Sequence, residues 1–211
     1  DSQQNLDHLL EYGHSDENCQ VIPLLVDLEQ FQSLKPEYSF RPVEEVFNLL
    51  FVGRVMPHKN QLGLIETLYH VRCMTQQDIK LTLIGNTSDE QYVSTCRNYI
   101  SELGLENAVN ITGKIDNERL TQYFQQSDLY VSLSHHEGFG MPLIEAGYYG
   151  LPVFAFDSSN IPATLGESGL VVDDSCPMTL AAVTTELFQS DGLKAKLTAA
   201  SQRNLERYKS E

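Results

Sequence analysis

The stretch F-N-L-L-F-V-G-R-V-M-P-H-K, Phe47 to Lys59, sets the pattern for the rest of the chain. An apolar run of strand length ends at a glycine, and a polar, basic loop follows. A helical period comes next over 60–75, with Leu62, Ile65, Leu68 and Val71 on one face. The pattern then recurs. K-L-T-L-I (80–84) ends at Gly85, a helix covers 88–103, and Gly104 stops it. A-V-N-I-T (108–112) ends at Gly113, a helix covers 116–126, and D-L-Y-V-S (128–132) is the next strand. Pro142 opens a helix at its first position and Gly150 closes it. P-V-F-A-F (152–156) and G-L-V-V (169–172) are two more strands, and helices over 177–189 and 191–208 complete the alternation. Strand, glycine, helix, repeated about six times, predicts an α/β fold. Its centre is a doubly wound, Rossmann-like parallel sheet of about six strands covered on both faces.

Upstream the pattern is different. Residues 2–12 read as a helix with Ser2 as N-cap, and Gly13 ends it. C-Q-V-I-P-L-L-V (19–26) reads as a short buried strand, and 27–43 as a linker. The chain does not start with Met, so it reads as a piece of a longer protein. The division is 1–43 against a regular domain over 44–211.

Composition narrows the function. The 211 residues carry 14 Lys plus Arg against 29 Asp plus Glu, a net charge of −15. That balance argues against a general nucleic-acid binder, or a protein held on anionic lipid by charge. No apolar run reaches the roughly 18 residues of a spanning helix, and no signal peptide is visible. Four cysteines, Cys19, Cys73, Cys96 and Cys176, form no C-x-x-C pair and fit no zinc template. They read as free, mostly buried thiols of a reducing, cytoplasmic compartment. From Leu120 to Leu193 there is no Lys or Arg, yet nine acids lie there.

In a doubly wound sheet, ligands bind beyond the C-terminal strand ends. Two loops there carry chemistry. In the first, Gly53 lets a ligand approach the backbone, and Arg54 and Lys59 are either two cations able to offset a diphosphate without a metal or two solvated basic residues of a loop. The second is H-H-E-G-F-G-M-P-L-I-E-A, His135 to Ala146. Gly138 and Gly140 flank Phe139, and the N–H groups of this turn and of the following helix point outward together. Glu145, in the first turn of that helix, suits a vicinal diol such as a ribose. Glu137 sits on the loop where a polar ligand meets it. Helix capping accounts for Glu145 alone but not for the whole string. His135, His136 and Glu137 do not converge as metal ligands, because adjacent positions at a strand end point to opposite faces. G-x-G-x-x-G, the P-loop and G-x-S-x-G are all absent.

F-V-G-R-x-x-x-x-K, L-x-L-I-G, I-T-G-x-I, S-D-L-Y-V-S-L-S-x-x-E-G-F-G-x-P-x-x-E-A, G-x-P-V and G-L-V-V stand in that order. Over about 20–208 they resemble the C-terminal half of GT-B retaining glycosyltransferases. More narrowly they resemble glycosyl transferases group 1, also called glycosyltransferase family 4. The resemblance implies a donor-binding domain for a UDP- or GDP-sugar, with no cofactor and no required metal. Arg54 and Lys59 would bind the diphosphate, Glu145 the ribose and Glu137 the donor-sugar hydroxyls, so that Arg54, Lys59 and Glu137 serve catalysis. Backbone from Gly138, Phe139, Gly140, Met141, Pro142 and Leu143 would hold sugar and phosphate. Gly53 and Gly85 would line the cleft floor, and the backbone at Lys114 and Ile115 would face the base.

The resemblance also implies transfer of a hexose, with retention, to a saccharide or lipid-linked acceptor, in polysaccharide or glycolipid assembly. The acceptor would sit mainly on a first domain that this chain lacks, with 1–43 as that domain's end plus the crossover. Attachment to the inner face of a membrane would run through that missing domain, and this piece alone would transfer poorly. His135–His136 and Ala146–Gly150 depart from the usual family pattern. A non-catalytic nucleotide-sugar-binding scaffold and a nucleotide-sugar epimerase are the competing readings; the epimerase would need different acid/base residues.

Overall fold

The computed structural model describes residues 3–21, 46–75 and 77–208. Six strands form one sheet: β1 (Val46–Val52), β2 (Asp78–Ile84), β3 (Val109–Gly113), β4 (Leu129–Ser132), β5 (Val153–Phe156) and β6 (Gly169–Val172). Their order is β3-β2-β1-β4-β5-β6, and every pairing is parallel. The expected doubly wound, Rossmann-like α/β sheet is what forms.

Helices cover both faces because the strands are apolar on both. Along β1, Phe47, Leu49 and Phe51 enter one core while Leu50 enters the other, the period of two that a pleated strand dictates. The first core holds residues from α2 (Gln61–Met74), α3 (Glu90–Glu102) and α7 (Pro177–Gln189), with Leu197 from α8 (Asp191–Leu205). The second is closed by Phe124 of α4 (Asn117–Gln126), by Leu143 and Ala146 of α5 (Met141–Tyr148) and by Ile161 and Leu165 of α6 (Ile161–Leu165). There Phe124 stacks on Tyr130 and on Tyr149. The Tyr130 hydroxyl donates to the Val52 carbonyl at 3.1 Å, so its buried polar end is satisfied at the rim of β1. Burial holds that phenol well above its ordinary pKa.

Several expectations need correction. The N-terminal helix α1 runs Gln3–Glu11, as its leucine spacing requires. The strand expected over 19–26 does not begin: Cys19, Gln20 and Val21 have no regular structure, and a 3-10 turn precedes them at Asp16–Asn18. Residues 22–26 of that strand, Ser2 as cap and the linker over 27–43 lie outside the described residues. α6 was not foreseen, being five residues of I-P-A-T-L too short to show a period. The last helix stops at Leu205 and continues as a 3-10 turn, Glu206–Tyr208. The thiols are all free, but of the four only Cys96 is buried; Cys73 and Cys176 are exposed near helix ends. No helix among the described residues is long and apolar enough to cross a membrane.

Candidate functional site

The chain runs from β1 outward to β2 and β3, then returns to place β4 on the other side of β1. This reversal leaves a crevice between the loops that follow β1 and β4, where open α/β sheets bind ligands. Both loops singled out in the sequence meet there.

The loop after β1 is held to its neighbour. Gly53 N donates to the Ile84 carbonyl at 2.8 Å and Val55 N to the Asn86 carbonyl at 2.9 Å. Gly85 has φ +152, and a Cβ there would fall inside the van der Waals shell of the Gly53 carbonyl oxygen, so glycine is required. Buried Gln61 donates from Nε2 to the Arg54 carbonyl at 2.9 Å, fixing the backbone beneath that guanidinium. Pro57–Lys59 forms a 3-10 turn, and Asn60, at φ 54, then starts α2 by accepting from Gly63 N at 3.1 Å. The turn swings Lys59 across the crevice.

His135 N donates to the His58 carbonyl at 2.8 Å, joining the two loops through backbone. Lys59 Nζ lies 2.6 Å from Glu137 Oε1 and 3.4 Å from the His136 carbonyl. The paired side chains are only 12% and 17% exposed. Ser134 Oγ donates to the same Glu137 oxygen at 3.0 Å and lies 3.1 Å from Ser132 Oγ, while Ser158 Oγ donates to the Ser134 carbonyl. Arg54, by contrast, is exposed and has no acid partner among the described residues.

Gly140, at φ 76, precedes α5, and no side chain caps that helix. The N–H groups of Gly138, Phe139, Gly140 and Met141 find no acceptor among the described residues. They stand as a set of donors, the arrangement that takes up anionic or hydroxyl oxygens at a helix start. Pro142 occupies the second position of α5 rather than the first, and Glu145 the second turn rather than the first. The cause is the left-handed Gly140, which starts the helix at Met141. The Glu145 carboxyl has no hydrogen-bond or ion-pair partner among the described residues, and burial pushes its pKa up. A half-buried carboxylate with unfilled acceptor capacity is able to receive hydroxyl donors.

Lys114 and Ile115 follow Gly113, whose carbonyl accepts from Gly85 N at 3.1 Å, so Gly53, Gly85 and Gly113 line up along the strand ends. Lys114 is exposed, Ile115 packs on the second core, and both sit after β3, two strands from the crevice. Four site residues had no signature in the sequence. His58 lies with its ring 6.5 Å from that of His136, whose Nδ1 is 3.0 Å from Ser159 Oγ. Burial first, then Lys59, Arg54 and His136, lower the His58 pKa against an opposing pull from Glu137. Ser134, Ser158 and Ser159 are single polar residues after strands, and only their place beyond β4 and β5 marks them. Among the described residues no group of three or more His, Cys, Asp or Glu side chains could hold a metal ion.

The site thus brings two cations, two carboxylates and a turn of unpaired amides to the switch point of a Rossmann-like α/β domain. Residues 37–204 match the model of the family Glycosyl transferases group 1, and the chain belongs to that family. It is 26% identical over 203 residues to D-inositol 3-phosphate glycosyltransferase of Xylanimonas cellulosilytica, covering 90% of this chain and 48% of that protein. It is 28% identical over 151 residues to O-antigen chain mannosyltransferase B of Escherichia coli, covering 71% of this chain and 39% of that protein. The chain thus spans about half, or less, of these relatives' length. Among solved structures it resembles Anabaena HepE in complex with UDP and glucose, with TM-score 0.80, 24% identity and coverage of 99% of this chain and 58% of that one. It also resembles a glycosyltransferase from Rickettsia africae, with TM-score 0.81, 22% identity and the same two coverages. These likenesses show the fold, the Rossmann-like architecture of GT-B glycosyltransferases.

Proposed function

We propose that residues 44–211 are the donor-binding, C-terminal domain of a retaining GT-B glycosyltransferase of family 4, and that 1–43 are the end of an acceptor domain plus the crossover. The donor is a UDP- or GDP-hexose, and the acceptor a saccharide or lipid-linked saccharide bound by the other domain. The relatives named as an inositol-phosphate glycosyltransferase and an O-antigen mannosyltransferase support a sugar transferase of polysaccharide or glycolipid assembly, working on the cytoplasmic side. The neighbour solved with UDP and glucose supports the donor class.

One observation carries the reading: Lys59 and Glu137, from opposite loops, meet over the switch point beside an Arg54 that has no acid partner among the described residues. Arg54 and Lys59 bind the diphosphate. Glu145 accepts from the ribose hydroxyls and Glu137 from those of the sugar. The amides from Gly138 to Met141, with Pro142 and Leu143 completing the turn, hold sugar and phosphate oxygens. Gly53 and Gly85 form the floor, and the backbone at Lys114–Ile115 borders the base.

Breaking the sugar–phosphate bond leaves negative charge on the nucleoside diphosphate, and the two cations stabilise it as it grows, so no metal is required. The acceptor hydroxyl attacks on the face from which the diphosphate departs, the leaving phosphate takes its proton, and the anomeric configuration is kept. Calorimetry of this chain with UDP and with GDP tests the reading. Saturable binding of one of them is expected, and no binding of either at millimolar concentration would refute it.

A further inference from the structure

The amide turn of the donor loop is fixed from behind by a residue with no place in the site. Thr164, on α6, is 1% exposed, and its Oγ1 donates to the Phe139 carbonyl at 2.8 Å. The same oxygen accepts from Asn160 Nδ2 at 3.1 Å, so its one proton is committed to Phe139. Among the described residues no peptide bond is cis. In a planar trans peptide the C=O and the N–H point in opposite directions. Holding the Phe139 carbonyl toward Thr164 therefore turns the Gly140 N–H the other way. It also sets the peptide plane that leads into the left-handed Gly140. At that residue, with φ +76, a Cβ would come within 2.7 Å of Leu143 Cδ1, so glycine suits the position.

Thr164 is itself clamped by the end of the chain. Its carbonyl accepts from Asn204 Nδ2 at 2.9 Å and from the Tyr208 hydroxyl at 2.9 Å. Asn204 also reaches Ser168 Oγ at 3.1 Å. The Tyr208 ring stands edge-on to Phe139, 5.5 Å between centroids, touching the same loop residue that Thr164 holds. Two independent contacts thus converge on Phe139, one polar through α6 and one aromatic from the last turn.

We propose that Thr164 is a positioning residue for the donor loop, and that Asn204 and Tyr208 make the end of α8 and the 3-10 turn after it part of that device. The inference rests on the donor-site reading above. Removing the hydroxyl leaves the Phe139 carbonyl free to turn, and the amide donors lose their common aim before any ligand arrives.

The test uses the 211-residue chain with Thr164→Val, Thr164→Ser and Tyr208→Phe. It reads calorimetric affinity for UDP and GDP well below each melting temperature, and amide hydrogen exchange over 137–143. Thr164→Val is expected to weaken nucleotide binding about 5- to 20-fold, the worth of one buried hydrogen bond, and to speed exchange in the loop. Thr164→Ser keeps the hydroxyl and should restore both. Tyr208→Phe keeps the ring and should weaken binding about 2- to 5-fold. A Thr164→Val protein that melts lower yet binds and exchanges as wild type overturns this inference alone. A wild type that binds neither nucleotide overturns the donor-site reading, and this inference with it.

Discussion

Lys59 Nζ and Glu137 Oε1 stand 2.6 Å apart, bridging the loops that follow β1 and β4. Each is the group that the other's ligand would replace. A diphosphate offers Lys59 a stronger partner than Glu137, and a Glu137 released from Lys59 is able to receive sugar hydroxyls. Glu137→Gln removes the competitor. Its affinity for the bare nucleoside diphosphate should rise about 2- to 5-fold, the scale of a partly exposed ion pair, while the added affinity for a nucleotide-hexose over the nucleotide disappears. Parallel titrations with both ligands measure the difference. Lys59→Ala in an enzyme with both domains should lower the transfer rate on the order of 10²–10³-fold.

Glu145 shows the opposite economy, a half-buried carboxylate with no hydrogen-bond or ion-pair partner among the described residues. Burial raises its folded pKa above its unfolded one, so the folded state holds its proton more tightly. The stability this contributes is full below the ordinary carboxylate value of 4.5 and is lost as pH rises through the raised value. Glu145→Gln should therefore melt higher than wild type at pH 7. That advantage should shrink as pH falls through the raised value and be gone below about 4.5. Nucleotide affinity should fall at the same time. Thermal melts across pH 4–8, with titrations at pH 7, check both halves.

His58 is held below its ordinary pKa by burial and by Lys59, Arg54 and His136. A bound diphosphate adds negative charge beside it and raises that value. Binding of a nucleotide-hexose, whose diphosphate has no ionisation near neutrality, should take up a proton and tighten as pH falls from 7.5 to 6. Calorimetry in two buffers of different ionisation heat measures the uptake, and His58→Gln should abolish most of it.

Gly85→Ala should fail where Gly104→Ala survives. Both positions have positive φ, but a Cβ at Gly104 meets nothing within 4 Å, whereas at Gly85 it collides with backbone. The first should cost about 3 kcal/mol or more and the second about 1–2 kcal/mol. Denaturant unfolding of both variants gives the comparison.

How much of this was legible in the sequence follows from how local each signal is. β1, β2 and β3 announced themselves because an apolar run met a glycine, and a glycine such as Gly85 is demanded by its own φ and by the Gly53 backbone beside it. The loops at Arg54–Lys59 and Glu137–Glu145 were readable because each motif is contiguous. The start of α5 slipped by one position because Gly140 takes the left-handed turn, which composition does not reveal. The supports were invisible for a different reason. Ser134 beneath Glu137, Ser158 beneath Ser134 and Thr164 beneath Phe139 act across loops distant in the chain, and a lone serine or threonine carries no motif. The pairing of Lys59 with Glu137 likewise needed the sheet order that sets β4 beside β1.

The most direct test of the central claim is a crystal structure of this chain with UDP or GDP bound. The account predicts the diphosphate between Arg54 and Lys59, within hydrogen-bond reach of the amides around Gly140, and the ribose hydroxyls on Glu145. A nucleotide seated elsewhere on the domain, with Lys59 still on Glu137 and nothing between the two loops, would contradict it.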